Sequence, residues 1–389
     1  MRAAGVLLAA LLVGTSCAGP APRDSAATDV EQLLDRRAAA VLDRDEEAYA
    51  ATGHPDDDEF DNLAQVPLRS WEYRLTRLDR TKAGATATTE LRYRVSGYDT
   101  APITVSRTLD LKKRGDGWYV AAERPAAKAP EQLWEQGEVT AARGARSLVL
   151  GVGRDEEQLR RYADLADRAV PAVRDAWGSD WSGRVVVLVP DSTDGMAGLL
   201  GASASAYQGI AAVTTGEAGG AEKAPADRII INPEAYDVLG DFGKQVVLTH
   251  EATHVATRAH TSAATPLWLS EGFADWVGYR GTGRTAAQAA PELSRAVLDG
   301  RLPAALPDDK AFGFAGDASR LAQAYEGGWL ACRMIAETWG EAKLIDFYKS
   351  VGAHKKRPGA EADALNNILH TTPDDFTRQW REYVRAELG

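Results

Sequence analysis

The chain has 389 residues, a formal net charge of −11 and a hydrophobic fraction of 44%. That length exceeds one typical domain, so two domains behind a short leader are expected, each with enough apolar residues for a core. The acidic balance argues against nucleic acid as a partner, because phosphate recognition needs a concentrated basic face.

Met1-Arg2 and the apolar run from Ala3 to Val13 have the basic start and short hydrophobic stretch of a secretory signal, too brief for a membrane span. Export is the expected outcome. Thr15-Ser16-Cys17 then resembles a bacterial lipobox, which implies that Cys17 carries lipid, becomes the mature N-terminus and holds the protein at a membrane surface. A plain signal peptide cleaved nearby is the alternative, and residues 1–17 are the leader in both cases. Residues 18–28, rich in Ala, Pro, Ser and Asp, read as a tether.

The first folded unit is expected over residues 29–125. Val30, Leu33, Leu34, Val41 and Leu42 recur at helical spacing. After a polar turn from Gly53 to Asp58 the pattern alternates: Trp71, Tyr73, Leu75; Leu91, Tyr93, Val95; Ile103, Val105; Leu109, Leu111; Trp118, Val120. Period-two alternation implies a curved antiparallel sheet with one buried face. A helix followed by long hairpin strands ending in "RGDGWYV" resembles the cone-shaped α+β fold of the nuclear transport factor two and SnoaL superfamily. No catalytic cluster is evident in this unit, so a docking or spacer role is expected. Residues 126–144, with Ala, Pro and charge, read as a linker.

The second unit, 145–389, opens with a strand at Ser147–Gly151 and a helix at 155–177. The apolar run Val185–Val189, ended by Pro190, reads as a buried strand, and Gly209–Thr215 and Arg228–Asn232 supply two more. Between these two, "GEAGGAEKAPA" is a polar, Gly-rich loop. A buried helix is expected at about 241–258, with Asp241 as a reasonable N-cap. A second helix starts at Pro266, and after a variable stretch to about 318 a helical lobe carries Tyr325, Trp329, Leu330, Met334, Leu344, Phe347 and Trp380. The class is therefore α+β: a small mixed sheet, a central helix and a helical lobe behind the N-terminal sheet.

The central helix contains His250-Glu251-Ala252-Thr253-His254. With roughly 3.6 residues per turn, the two histidines share one face and can converge on one ion, with Glu251 beside them. A hydrolytic zinc site takes three protein ligands and leaves a place for water. Glu271, in the amphipathic run Trp268 to Val277, is the best third ligand to a single zinc ion. Asp275, one turn further, faces the same site and is placed to accept the free ring N–H of a ligand histidine. A purely structural zinc is disfavoured, since such sites usually close with four ligands.

The string "VVLTHEATHVATRAHTSAATPLWLSEGFADWVGY" resembles the gluzincin metallopeptidases, and the peptidase MA-like family in particular. The resemblance implies that His250, His254 and Glu271 bind zinc and that Glu251 is the general base toward a zinc-bound water. It also implies an edge strand that pairs with an extended peptide, for which Ile210–Thr215 is the candidate. An oxyanion donor is expected as well, with Tyr325 the first choice and His260 the second. No Gly-x-Met-Glu-Asn-like segment precedes the motif, which favours an endopeptidase over an aminopeptidase. The competing function is a non-catalytic exported lipoprotein that binds a protein or small-molecule partner.

Overall fold

The computed structural model describes residues 25–53, 57–115, 117–215, 226–313 and 317–389. The leader, Cys17, most of the tether and nearly all of the Gly-rich loop lie outside these residues. No helix among the described residues is long and apolar enough to cross a membrane.

Three helices lead: α1 (Ser25–Asp43), α2 (Glu46–Thr52) and α3 (Asp57–Gln65). Four strands follow as an antiparallel meander in sequence order: β1 (Leu68–Arg80), β2 (Ala85–Val95), β3 (Ile103–Arg114) and β4 (Gly117–Pro125). Alternation decides which face is buried. In β2, Ala85, Ala87, Thr89, Leu91, Tyr93 and Val95 turn inward while Arg92 is exposed. On α1 the stripe Val30, Leu33, Leu34 packs against Ala85, Ala87, Leu109, Leu111 and Val120.

Residues 126–144 depart from the linker expectation. Leu133 and Trp134 are buried, and β5 (Val139–Arg143) pairs antiparallel with β6 (Ser147–Val152) as part of the second sheet. Two alanines in β5 carry little strand signal, which is why composition suggested a spacer.

The second sheet has the order β5-β6-β7-β9-β8, with β7 (Val185–Val189), β8 (Ala212–Thr214) and β9 (Ile229–Ile231). Strands β6, β7 and β9 run parallel, and β8 closes the far edge antiparallel to β9. Both faces of β6 are covered, so after Ser147 its run carries no polar side chain. Val149 faces α4 (Glu156–Trp177), and Leu148, Leu150 and Val152 join Trp71 and Tyr93 of the first unit and Trp134 of the segment between the units. The two units therefore share a core. A buried ion pair also crosses between them: Arg228 donates to both carboxylate oxygens of Asp99 at 2.7 and 2.8 Å.

Between β7 and β8 lies α5 (Thr193–Leu200), and after β9 come α6 (Pro233–Tyr236) and α7 (Asp241–Thr257). The N-cap of α7 is Gly240 rather than Asp241. Asp241 is instead the first helical residue, where its charge still complements the helix dipole. Beyond α7, Pro266 caps α8 (Leu267–Tyr279). The remaining lobe consists of α9 (Ala286–Ala289), α10 (Pro291–Leu298), α11 (Ala318–Trp339), α12 (Glu341–Gly352), α13 (Ala360–Ala364) and α14 (Pro373–Leu388). The whole is α+β, with one antiparallel and one mixed sheet.

Candidate metal centre

Helix α7 is packed between α4, α8 and the edge strand β8. One turn apart on it, His250 and His254 bring their Nε2 atoms to 2.9 Å of each other. Helix α8 crosses this face and supplies Glu271, whose Oε2 lies 3.3 Å from His250 Nε2 and 3.4 Å from His254 Nε2. These three residues form a group able to hold a metal ion.

The size of the triangle tests that reading. An ion bound tetrahedrally at about 2.0–2.2 Å keeps its ligand atoms about 3.3 Å apart, so the two contacts to Glu271 match and the His–His edge is slightly short. Two imidazole nitrogens and a carboxylate oxygen are a donor set for zinc or a similar divalent ion.

Asp275 lies one turn beyond Glu271 and accepts a hydrogen bond from His250 Nδ1 at 2.8 Å. That bond fixes the tautomer in which Nε2 offers its lone pair to the group. Burial opposes charge on His250, but Asp275 foremost, with Glu271 and Glu251, overcomes it and holds its pKa well above the usual imidazole value. Burial likewise opposes the Glu271 carboxylate, and the two imidazoles outweigh it and hold its pKa well below the usual range. The surroundings thus favour positive charge at this point. Replacing Asp275 with alanine is expected to weaken zinc binding by about 10–100-fold, read by competition with a chromophoric chelator. Unchanged affinity would show that Asp275 does not orient the ligand.

Glu251 is buried beside the group, 5% exposed. A buried carboxylate needs a donor, and Thr214 at the end of β8 provides it, with Oγ1 2.7 Å from Oε2. Sequence reasoning did not single out Thr214. Its partner is 37 residues away on another element, and no periodicity encodes such a pair.

The structure separates the two oxyanion candidates. Tyr325, on α11, sets its ring centroid 6.4 Å from that of His250 and packs edge-on against Phe312. His260 instead meets Trp177 and bonds Asp180 at 3.1 Å, in a 3₁₀ turn beyond the end of α7. The change from α to 3₁₀ geometry and the pull of Asp180 direct its ring to those partners, not to the His-His-Glu group.

The first unit holds a second polar cluster, which the sequence reading missed. Between α1, α2 and the sheet, Arg37 and Arg107 flank Glu123 at 3.2 and 3.3 Å, with Tyr73 donating to the same carboxylate at 3.1 Å. Arg37 also bonds Tyr49, and Arg107 bonds Glu135. Burial, then repulsion from Glu123, pushes the nearby Glu59 up to about 7. Arg107 takes an inward position of β3 between Val105 and Leu109, where alternation alone predicts an apolar residue.

No protein-family model matches this chain, and no curated protein matches it.

Proposed function

We propose that the protein is a zinc-dependent peptidase of gluzincin type, akin to the peptidase MA-like family and acting as an endopeptidase. The observation that carries this reading is the His250–His254–Glu271 triangle with a buried glutamate, Glu251, directly beside it. When bound, zinc lowers the pKa of a coordinated water toward about 7 and polarises the scissile carbonyl. His250, His254 and Glu271 would hold the ion, and Asp275 keeps the His250 ring in register.

Glu251 has one oxygen held by Thr214, which leaves Oε1 to take a proton from the attacking water and pass it to the departing amine. The Tyr325 hydroxyl is the proposed donor to the oxyanion that forms on the former carbonyl. An extended peptide would add beside β8, the last strand of the sheet, next to Glu251. The sequence features at residues 1–17 support export, with Cys17 as the lipid-bearing residue and a membrane surface as the place of action.

Metal analysis together with cleavage of a peptide library tests the reading. One zinc per chain is expected in the wild type and in Glu251→Gln, with cleavage in the wild type alone and a loss of at least about 10²–10⁴-fold in the variant. Zinc in both proteins with cleavage in neither would overturn the peptidase reading in favour of a binding lipoprotein.

A further inference from the structure

Thr214 stands in an unusual relation to Glu251. Its Oγ1 is 2.7 Å from the carboxylate Oε2 and 3.1 Å from the main-chain oxygen of the same residue. Both acceptors belong to one glutamate, so a single hydroxyl fixes the side chain relative to its own backbone. The hydroxyl has one proton, and the nearer, charged oxygen is the stronger acceptor. Thr214 is fully buried, and β-branching restricts its χ1, so the donor itself has little freedom.

A second contact lies just past the ends of both elements, between the residue after β8 and the 3₁₀ turn that follows α7. Arg258 Nη2 donates to the carbonyl oxygen of Thr215 at 2.6 Å, and its Nε donates to Asp227 at 2.9 Å. Glu251 and Arg258 are seven residues, about two turns, apart and so lie on one face of the helical path. The end of β8 is thus tied to α7 through Glu251 and to the turn after α7 through Arg258.

We propose that Thr214 is a positioning residue for the general base: its hydroxyl selects the Glu251 rotamer that points Oε1 toward the reacting water. This rests on the peptidase reading above and adds to it the strand residue through which β8 aligns the base.

The test uses the full-length, zinc-loaded protein and two measurements. In peptide cleavage, Thr214→Val removes the hydroxyl while keeping the shape, and kcat is expected to fall about 10–100-fold with KM unchanged, while Thr214→Ser restores most of it. In calorimetry, the probe is acetohydroxamic acid, which chelates zinc and gives its acidic proton to the neighbouring carboxylate. Thr214→Val should weaken it about 10-fold in the wild-type background and not at all when Glu251→Gln is already present.

Equal kcat and equal hydroxamate affinity in wild type and Thr214→Val would overturn the proposal, as would a loss that persists unchanged in the Glu251→Gln background. A wild type that cleaves no peptide but shows the Thr214-dependent hydroxamate affinity would refute the peptidase reading while keeping the positioning role. A wild type that binds no zinc overturns both. If Thr214→Val fails to fold, the pair Thr214→Ser and Thr214→Ala makes the same comparison of hydroxyl kept against hydroxyl removed.

Discussion

Glu271→Gln is expected to leave the protein folded but to strip it of tightly bound zinc. The three candidate ligand atoms are unequal: the two imidazoles come from one rigid helix, whereas Glu271 is the only one contributed by α8. Four-ligand structural zinc sites are worth about 10–16 kcal/mol, roughly 2.5–4 kcal/mol per ligand, so losing the carboxylate should cost on the order of 10²-fold or more in affinity. The neutral amide also removes the charge that offsets that of the ion. Thermal melts provide a readout independent of activity. Zinc at 100 times its Kd should stabilise the wild type by about 2.7 kcal/mol, roughly 5–10 °C for a unit of this size, and should barely move Glu271→Gln at the same concentration. Equal zinc-induced shifts in the two proteins would show that Glu271 is not a ligand and would remove the basis of the proposed function.

The parts of this site that were legible in the sequence are those written in local periodicity. Four-residue spacing placed His250 and His254 on one face, and the same spacing placed Glu271 and Asp275 together on α8. The buried strand β7 was likewise plain as an uninterrupted apolar run. What was not legible depends on contacts between distant elements. Asp99 and Arg228 are 129 positions apart and pair only because the turn after β2 meets the start of β9. Strand β5 lacks β-branched residues apart from Val139 and Thr140, and its existence depends on the open edge of β6. Arg37 and Arg107 occupy apolar positions of their periodic patterns, and nothing short of the fold reveals that each has Glu123 as its counter-ion. Such buried charges are tolerated only when paired, so their assignment requires the partner to be known first.

The second large effect is expected where α8 crosses α11, because that crossing sets the distance between the proposed metal ligand and the proposed oxyanion donor. Glycines occupy both sides of the contact. A Cβ on Gly272 would lie 2.3 Å from the main-chain carbon and oxygen of Gly328, and one on Gly328 would lie 2.6 Å from the carbonyl oxygen of Trp268. Backbone atoms cannot rotate away as a side-chain tip can, so Gly272→Ala must push the helices apart. Overpacking of this kind costs about 1–3 kcal/mol, which corresponds to a drop in Tm of several degrees. The chemical consequence should be larger than the thermal one, since Glu271 is the adjacent residue and Tyr325 lies one turn before Gly328 on α11. Movement of either by about 1 Å can cost on the order of 10²-fold in rate. Gly243→Ala, in the helix of His250 and His254 itself, is the matching control: its Cβ would meet only the Leu239 side chain, at 3.4 Å. That substitution should be neutral or stabilising by up to about 1 kcal/mol through helix propensity. Paired melts and zinc titrations of the two variants separate the cases. If Gly272→Ala matched Gly243→Ala in both measurements, the close helix crossing would not be what holds Glu271 and Tyr325 at their working distance.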